Sequence, residues 1–132
     1  MKTILLLAHG NLAKSMKMTA EMLFGQVPDI TIDFLDLEEH TGVAPFRKKL
    51  TCKINHFREN NMIVLTDLRG GTPFNEAYAL LLELGLASSV PLLYGMNIPL
   101  LISLLFLEGG FGQDDIHKCI EEAKENIGML KM

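Results

Sequence analysis

The sequence lacks the features that mark several broad classes of protein. No cluster of basic residues stands out and the net charge is −4, so we expect no nucleic-acid partner. The strongly apolar residues 99–107 are only about half as long as a helix that crosses a bilayer. The two cysteines, Cys52 and Cys119, lie far apart without the spacing of a metal site. This predicts idle thiols in a reducing compartment and no bound metal.

A nucleotide-binding loop of the GxxxxGK[ST] type is also absent from the sequence. The N-terminal apolar run, residues 4–8, is short and ends without a small-residue cleavage site, so we expect no signal peptide. The chain has 132 residues, of which 48% are hydrophobic and 21% charged. This is enough for one globular domain with its own core, which we assign to residues 1–132.

Strand-like apolar runs occur at residues 3–8, 30–35, 62–66 and 89–94, and each is followed by a pattern typical of a helix. This alternation predicts an α/β fold in a single domain, with a mostly parallel open sheet and helices on both faces. Pro91 favours an edge position for the fourth strand. The last predicted helix should bury one apolar face, made of Ile116, Ile120, Ala123, Ile127 and Leu130.

The stretch Asp67-Leu68-Arg69-Gly70-Gly71-Thr72-Pro73-Phe74-Asn75 connects a predicted strand to a predicted helix. Gly70 and Gly71 allow backbone angles and close approaches that other residues avoid. Thr72 is placed to cap the helix, and Pro73 suits its first turn, where no N–H donor is needed. Free N–H groups at such a helix start attract anions, so we expect Gly70, Gly71 and Thr72 to bind phosphate.

His9 ends the first predicted strand and Asp67 ends the third. Both residues should lie at the carboxyl rim of a parallel sheet, where ligands of open α/β sheets bind. The simplest chemistry is a nucleophilic histidine whose ring is oriented by Asp67 and whose other nitrogen faces the predicted anion site. A histidine at a strand end is usually structural, but its coincidence with Asp67 and the glycine turn favours the functional interpretation.

Three segments resemble the mannose-family enzyme IIA domain of the bacterial phosphoenolpyruvate-dependent sugar phosphotransferase system (PTS). They are Leu7-Ala8-His9-Gly10, the central stretch 67–75, and Gly95-Met96-Asn97-Ile98-Pro99-Leu100-Leu101. The resemblance implies that His9 accepts phosphate from the phosphocarrier HPr. It also implies that His9 passes the phosphate to enzyme IIB, which phosphorylates sugar during import. Asp67 is then the hydrogen-bonding partner of His9, and Gly71 and Thr72 lie at the phosphate.

The resemblance further implies a cytoplasmic protein that needs no cofactor and meets the membrane IIC/IID complex only indirectly. It implies a cis peptide bond before Pro73, and a homodimer that exchanges an antiparallel C-terminal edge strand. The sequence departs from the family at Arg69, where an aromatic or apolar residue is expected, so Arg69 is a candidate to touch a partner or the phosphate. Since no IIB domain follows before Met132, we expect IIB on a separate chain.

Three other functions would use the same histidine. A related dihydroxyacetone-kinase subunit also carries a histidine after its first strand, but the intact GGTPFN motif argues against it. Small cobalt and iron chelatases begin with a strand ending in His-Gly, but they need a further histidine or glutamate nearby, and no other histidine here falls at a strand end. A regulatory module controlled by phosphorylated His9 remains open beside transport.

Overall fold

The computed structural model describes residues 1–131, in which strands and helices alternate until the last strand is followed by two helices. The strands are β1 (Lys2–His9), β2 (Ile30–Leu37), β3 (Asn61–Thr66) and β4 (Leu92–Leu93). The helices are α1 (Leu12–Phe24), α2 (Val43–Phe57), α3 (Thr72–Glu83), α4 (Ile98–Leu105) and α5 (Gln113–Glu125).

The four strands form a parallel sheet in the order β2-β1-β3-β4. Strand β1 therefore lies between β2 and β3. Its register pairs Ala8 with Asp36 on one side and Leu7 with Thr66 on the other, so the carboxyl ends of these strands share one rim. This arrangement confirms the predicted single-domain α/β fold.

Alternate side chains of β1 enter two separate cores. Ile4, Leu6 and Ala8 pack on the face covered by α1, α4 and α5. Leu5 and Leu7 pack on the face covered by α2 and α3, and all five side chains are fully buried. Burial on both faces explains why β1 is a continuous apolar run, and it gives the histidine at its end a rigid support.

Strand β4 is shorter than the predicted strand at residues 89–94. Pro91 has no N–H group to donate to a ladder, although its carbonyl accepts the Val64 N–H at 2.9 Å. Just before it, Ser89 and Val90 both donate their N–H groups to the carbonyl of Leu86, which makes a turn. Only Leu92 and Leu93 therefore pair with β3.

The C-terminal helix ends before two of the residues that the sequence placed on its buried face. Helix α5 stops at Glu125, and Ile127 and Leu130 are 75% and 84% exposed. The prediction of a longer amphipathic helix was therefore wrong at its end. Residues 126–131 form no strand, so no antiparallel edge strand occurs in the described part of a single chain.

The peptide bonds of residues 1–131 are all trans, so the expected cis bond before Pro73 is wrong. None of the helices seen in residues 1–131 is both long and apolar enough to cross a membrane.

Candidate functional site

His9 and Asp67 are in contact at the carboxyl rim of the sheet. Asp67 Oδ2 accepts the backbone N–H of His9 at 3.0 Å and lies 2.9 Å from His9 Nδ1. The other carboxylate oxygen, Oδ1, is buried and has no hydrogen-bond partner among residues 1–131. The Asp67 side chain is 12% exposed, whereas that of His9 is 44% exposed. A shielded carboxylate thus holds an accessible imidazole.

The position of Asp67 determines which ring nitrogen of His9 is reactive. A carboxylate is an acceptor, so the hydrogen bond assigns the ring proton to Nδ1. Nε2 then keeps its lone pair and can act as a nucleophile. If Nε2 gains a substituent, the ring becomes cationic, and the adjacent carboxylate stabilises that charge.

Gly71 is required because its backbone lies against the imidazole of His9. A Cβ atom at Gly71 would lie 2.9 Å from His9 Cε1, 3.5 Å from His9 Nε2 and 3.2 Å from the carbonyl oxygen of Leu68. The backbone angle of Gly71 is ordinary, with φ −72°, so close approach explains the glycine. Gly70 is different, since its φ of 78° is one that other residues rarely adopt.

The turn that carries the glycines is held by its own hydrogen bonds. The Gly71 N–H donates to the Leu68 carbonyl at 3.0 Å, and the Asn75 side chain donates to the Gly70 carbonyl at 3.0 Å. The Gly71 N–H is therefore already used. The N–H groups of Gly70 and Thr72 have no backbone acceptor among residues 1–131, so they are the donors free for an anion.

The predicted capping role of Thr72 was wrong. Thr72 is the first residue inside α3 and Gly71 is the N-cap, so no N-cap side chain is available to cap this helix. Pro73 lies in the first turn, as predicted. The start of α3 therefore presents an uncapped, partly positive helix end beside the His9 ring.

Asp36 is a residue near the site that sequence reasoning missed. Asn11 is the N-cap residue of α1, but its own side chain makes no capping bond. Instead, Asp36 Oδ1 accepts the Ala13 N–H at 2.9 Å and Asp36 Oδ2 accepts the Lys14 N–H at 3.1 Å. Burial raises the pKa of Asp36 and the charge of Asp67 raises it further, while the two amide bonds oppose the shift.

An aromatic cluster lies beside the glycine turn. The guanidinium carbon of Arg69 lies 5.2 Å from the centroid of the Tyr94 ring, and Phe74 packs edge-on against Tyr94 with centroids 6.0 Å apart. Leu68 and Tyr94 are 59% and 49% exposed. Sequence reasoning singled out Arg69 but missed Tyr94, whose only signal was its place at the end of the fourth predicted strand.

A groove of about 750 Å³ lies away from His9, between the free edge of β4 and helix α5. Its lining includes Pro91, Leu92, Ile116, Ile120, Ala123 and Ile127. His9 does not line this groove and stands on an open rim. Within residues 1–131, no group of three or more His, Cys, Asp or Glu side chains is arranged to hold a metal ion.

The sequence matches the family described as PTS system fructose IIA component (EIIA-man) over residues 3–124. It is 32% identical over 102 residues to the sorbose-specific EIIA component of a PTS from Lacticaseibacillus casei. That alignment covers 76% of this chain and 70% of the relative.

Solved structures show the same architecture. A PTS IIA protein associated with the fucose utilization operon of Streptococcus pneumoniae superposes with a TM-score of 0.83 at 30% identity, covering 97% of this chain and 92% of that one. A mannose/sorbose-specific IIA subunit from Enterococcus faecalis gives a TM-score of 0.83 at 20% identity, covering 100% of this chain and 97% of that one. At that identity the second likeness speaks for the fold alone.

Proposed function

This chain belongs to the EIIA-man family of PTS IIA components, and from that premise we propose that His9 carries a phosphoryl group from HPr to enzyme IIB. Membership makes the chain an EIIA component of a sugar phosphotransferase system, and it does not favour the dihydroxyacetone-kinase or chelatase alternatives. The proposal adds the residue, the two partners and the order of transfer.

The observation that carries the proposal is the hydrogen bond between Asp67 Oδ2 and His9 Nδ1 at 2.9 Å. It leaves Nε2 as the nucleophile, on the edge of the ring that faces Gly71. The free N–H groups of Gly70 and Thr72 and the start of α3 then supply donors for the phosphoryl oxygens. The sequence proposed Gly70, Gly71 and Thr72 as the phosphate site; in this proposal Gly70 and Thr72 are the donors, and Gly71 makes room for the His9 ring.

The transfer needs no separate base. His9 Nε2 attacks the phosphorus of the phosphorylated donor, a new N–P bond forms, and the bond to the donor breaks with its electron pair staying on the donor. The Nδ1 proton stays between His9 and Asp67, whose negative charge stabilises the cationic phosphorylated ring. In the second transfer IIB attacks the same phosphorus and His9 leaves as the neutral imidazole.

The open rim suits a protein partner better than a small substrate, since small-molecule sites are usually concave. Leu68, Arg69 and Tyr94 form an exposed apolar and cationic surface at the glycine turn, and tyrosine and arginine are enriched among the residues that dominate binding in protein interfaces. We assign docking of HPr and of a separate IIB chain to this surface. The proposal locates the protein in the cytoplasm, where it reaches the membrane IIC/IID complex through IIB.

We also propose a homodimer that uses the groove beside β4. In residues 1–131 β4 pairs only with β3, which leaves one edge open to a further strand. The segment after α5 carries Ile127, Met129 and Leu130, which are 75%, 81% and 84% exposed. The C-terminal segment of a second copy, placed along β4, would cover the groove and bury these side chains.

Labelling with two phosphoryl donors tests the proposed function. Phosphorylated HPr should transfer one phosphate per chain, and ATP with magnesium should transfer none. Subsequent addition of IIB should remove the phosphate. His9→Ala should abolish the label. Its matched control is His40→Ala, because His40 is an exposed histidine in the loop after β2. Equal labelling by ATP and magnesium, or a label that IIB never removes, would contradict the proposal.

A further inference from the structure

Two helices begin at the rim on either side of His9. Helix α1 follows β1 after the turn at Gly10, and α3 follows β3 after the glycine turn. Each helix start is a place where free N–H groups attract anions. Only the start of α3 is open, because a carboxylate from β2 occupies the start of α1.

We propose that Asp36 is a positioning residue that closes the start of α1 and thereby directs the phosphoryl group to the α3 side of His9. The inference rests on the proposed transfer through His9. Asp36 touches neither the ring nor the expected phosphate. It acts by occupying the start of α1, which leaves α3 as the open helix start, and by holding the helix that follows the turn after His9.

The contacts of Asp36 account for both parts of this role. Each carboxylate oxygen accepts one N–H of the first turn of α1, from Ala13 at 2.9 Å and from Lys14 at 3.1 Å. Two of the donors that an anion would use are therefore taken, and a negative charge stands where the anion would have to bind. An exchangeable anion would have to displace a carboxylate that is covalently part of the fold.

The same strand also fixes the turn after the histidine. Leu37, the neighbour of Asp36 in β2, accepts the Gly10 N–H at 3.0 Å. Strand β2 thus holds this segment at two places. Leu37 bonds the turn at Gly10, and Asp36 bonds the first turn of α1. Asp67, which follows β3, holds His9 directly, whereas Asp36 of β2 holds the helix that follows His9.

The electrostatic consequence is an asymmetric environment for His9. Asp36 is paired with Ala8, the residue before His9, and its carboxylate is bonded to the first turn of α1. The side of His9 that faces β2 therefore carries the negative charge of Asp36. The side that faces the glycine turn offers the free N–H groups at the uncapped start of α3, and the Asp67 charge there is engaged with the His9 ring. A phosphoryl group, with its negative oxygens, is favoured on the second side.

Titration of ¹⁵N-labelled protein with inorganic phosphate tests the inference without any transfer reaction. In the wild-type protein the amide signals of Gly70 and Thr72 should shift and those of Ala13 and Lys14 should not. In Asp36→Ala the Ala13 and Lys14 signals should also shift, and saturably. Glu38→Ala is the matched control, since it removes a nearby exposed carboxylate that is not bonded to α1. It should behave like the wild type.

Transfer from phosphorylated HPr supplies the second measurement. Asp36→Ala should still label at His9 but at least about 5-fold more slowly, and Glu38→Ala should stay within about 2-fold of the wild type. If Asp36→Ala fails to fold, Asp36→Asn replaces it. Asparagine keeps one acceptor oxygen, so only one of the two helix amides, that of Ala13 or that of Lys14, should respond to phosphate. Insensitive Ala13 and Lys14 signals in the folded variants would overturn the inference. Failure of wild-type labelling would instead overturn the proposed function and leave the phosphate titration interpretable.

Discussion

One carboxylate oxygen of Asp67 holds His9 at two points. Oδ2 accepts the backbone N–H of His9 at 3.0 Å and lies 2.9 Å from the ring nitrogen Nδ1. The first contact fixes where β1 ends and the second fixes how the ring is turned. The same atom therefore positions the residue and leaves Nε2 as the ring nitrogen with a free lone pair.

Asp67→Asn should slow transfer without unfolding the protein. Asparagine keeps the size of the side chain but removes the charge that stabilises the phosphorylated ring. We expect transfer in both directions to be roughly 10- to 100-fold slower, the scale by which removal of the carboxylate behind a metal-bound histidine lowers activity. Rapid-quench measurements of phosphate gain from HPr and phosphate return to HPr check this. Glu38→Gln is the control, and forward and reverse rates of Asp67→Asn equal to the control's would sink the assignment.

Gly71→Ala should impair transfer while leaving stability almost unchanged. The new Cβ would lie 2.9 Å from His9 Cε1, so the ring must move away from its position against the turn. Because the ring is exposed, and the 3.2 Å contact with the Leu68 carbonyl needs only a small shift of the turn, the free energy of unfolding should change by no more than about 1 kcal/mol. The transfer rate should fall at least about 10-fold.

Gly112→Ala is the matched control for this variant. Gly112 is also a helix N-cap with an extended backbone, φ −69°, and a Cβ there would make only an ordinary contact at 3.5 Å. Urea denaturation measures stability and labelling measures transfer. Normal transfer in Gly71→Ala would show that the close approach to His9 has no functional consequence.

Glu76→Gln should destabilise the protein at neutral pH and have little effect in acid. Glu76 accepts two hydrogen bonds from Arg47, at 2.6 and 2.8 Å, which join α2 to α3. The side-chain bond to Arg47 lowers the pKa of Glu76 from 4.5, so its contribution to stability is present above that value and is lost as the pH falls through the lowered value. The urea midpoints of the variant and the wild type should differ at neutral pH and converge as the pH falls below 4.5 and through the lowered pKa of Glu76. A constant difference in midpoint at all pH values would contradict the ionic origin of the effect.

Dimerisation should depend on the C-terminal segment. Light scattering at micromolar concentration should give twice 14.7 kDa for the wild type. Replacing Met129 and Leu130 with serine should shift the protein towards the monomer, because these exposed side chains are the ones the partner's groove would bury. Met22→Ser, which changes a residue of α1 that is 79% exposed, should remain dimeric. A wild-type monomer that accepts phosphate would show that the dimer is not required.

Much of the fold followed from local patterns. The buried strand β1 and the glycine turn depend on residues close together in sequence. The neighbouring positions of His9 and Asp67 also followed, since carboxyl ends of parallel strands share a rim.

What the sequence did not reveal depends on distant partners. Asp36 caps a helix that begins 24 positions before it, so no pattern local to α1 identifies it. Tyr94 meets Arg69 only after β4 pairs with β3. The apolar spacing at Ile127 and Leu130 matched a helix, but helix α5 ends before them and their side chains remain exposed.

The most direct measurement is the position of the phosphate on the histidine ring. Protein labelled with ¹⁵N in its histidines is treated with phosphorylated HPr, and long-range ¹H–¹⁵N spectra identify the modified nitrogen. Because Asp67 occupies Nδ1, we predict phosphate on Nε2 of His9, complete loss of labelling in His9→Ala and normal labelling in His40→Ala. Phosphate on Nδ1, or labelling that survives in His9→Ala, would contradict the account.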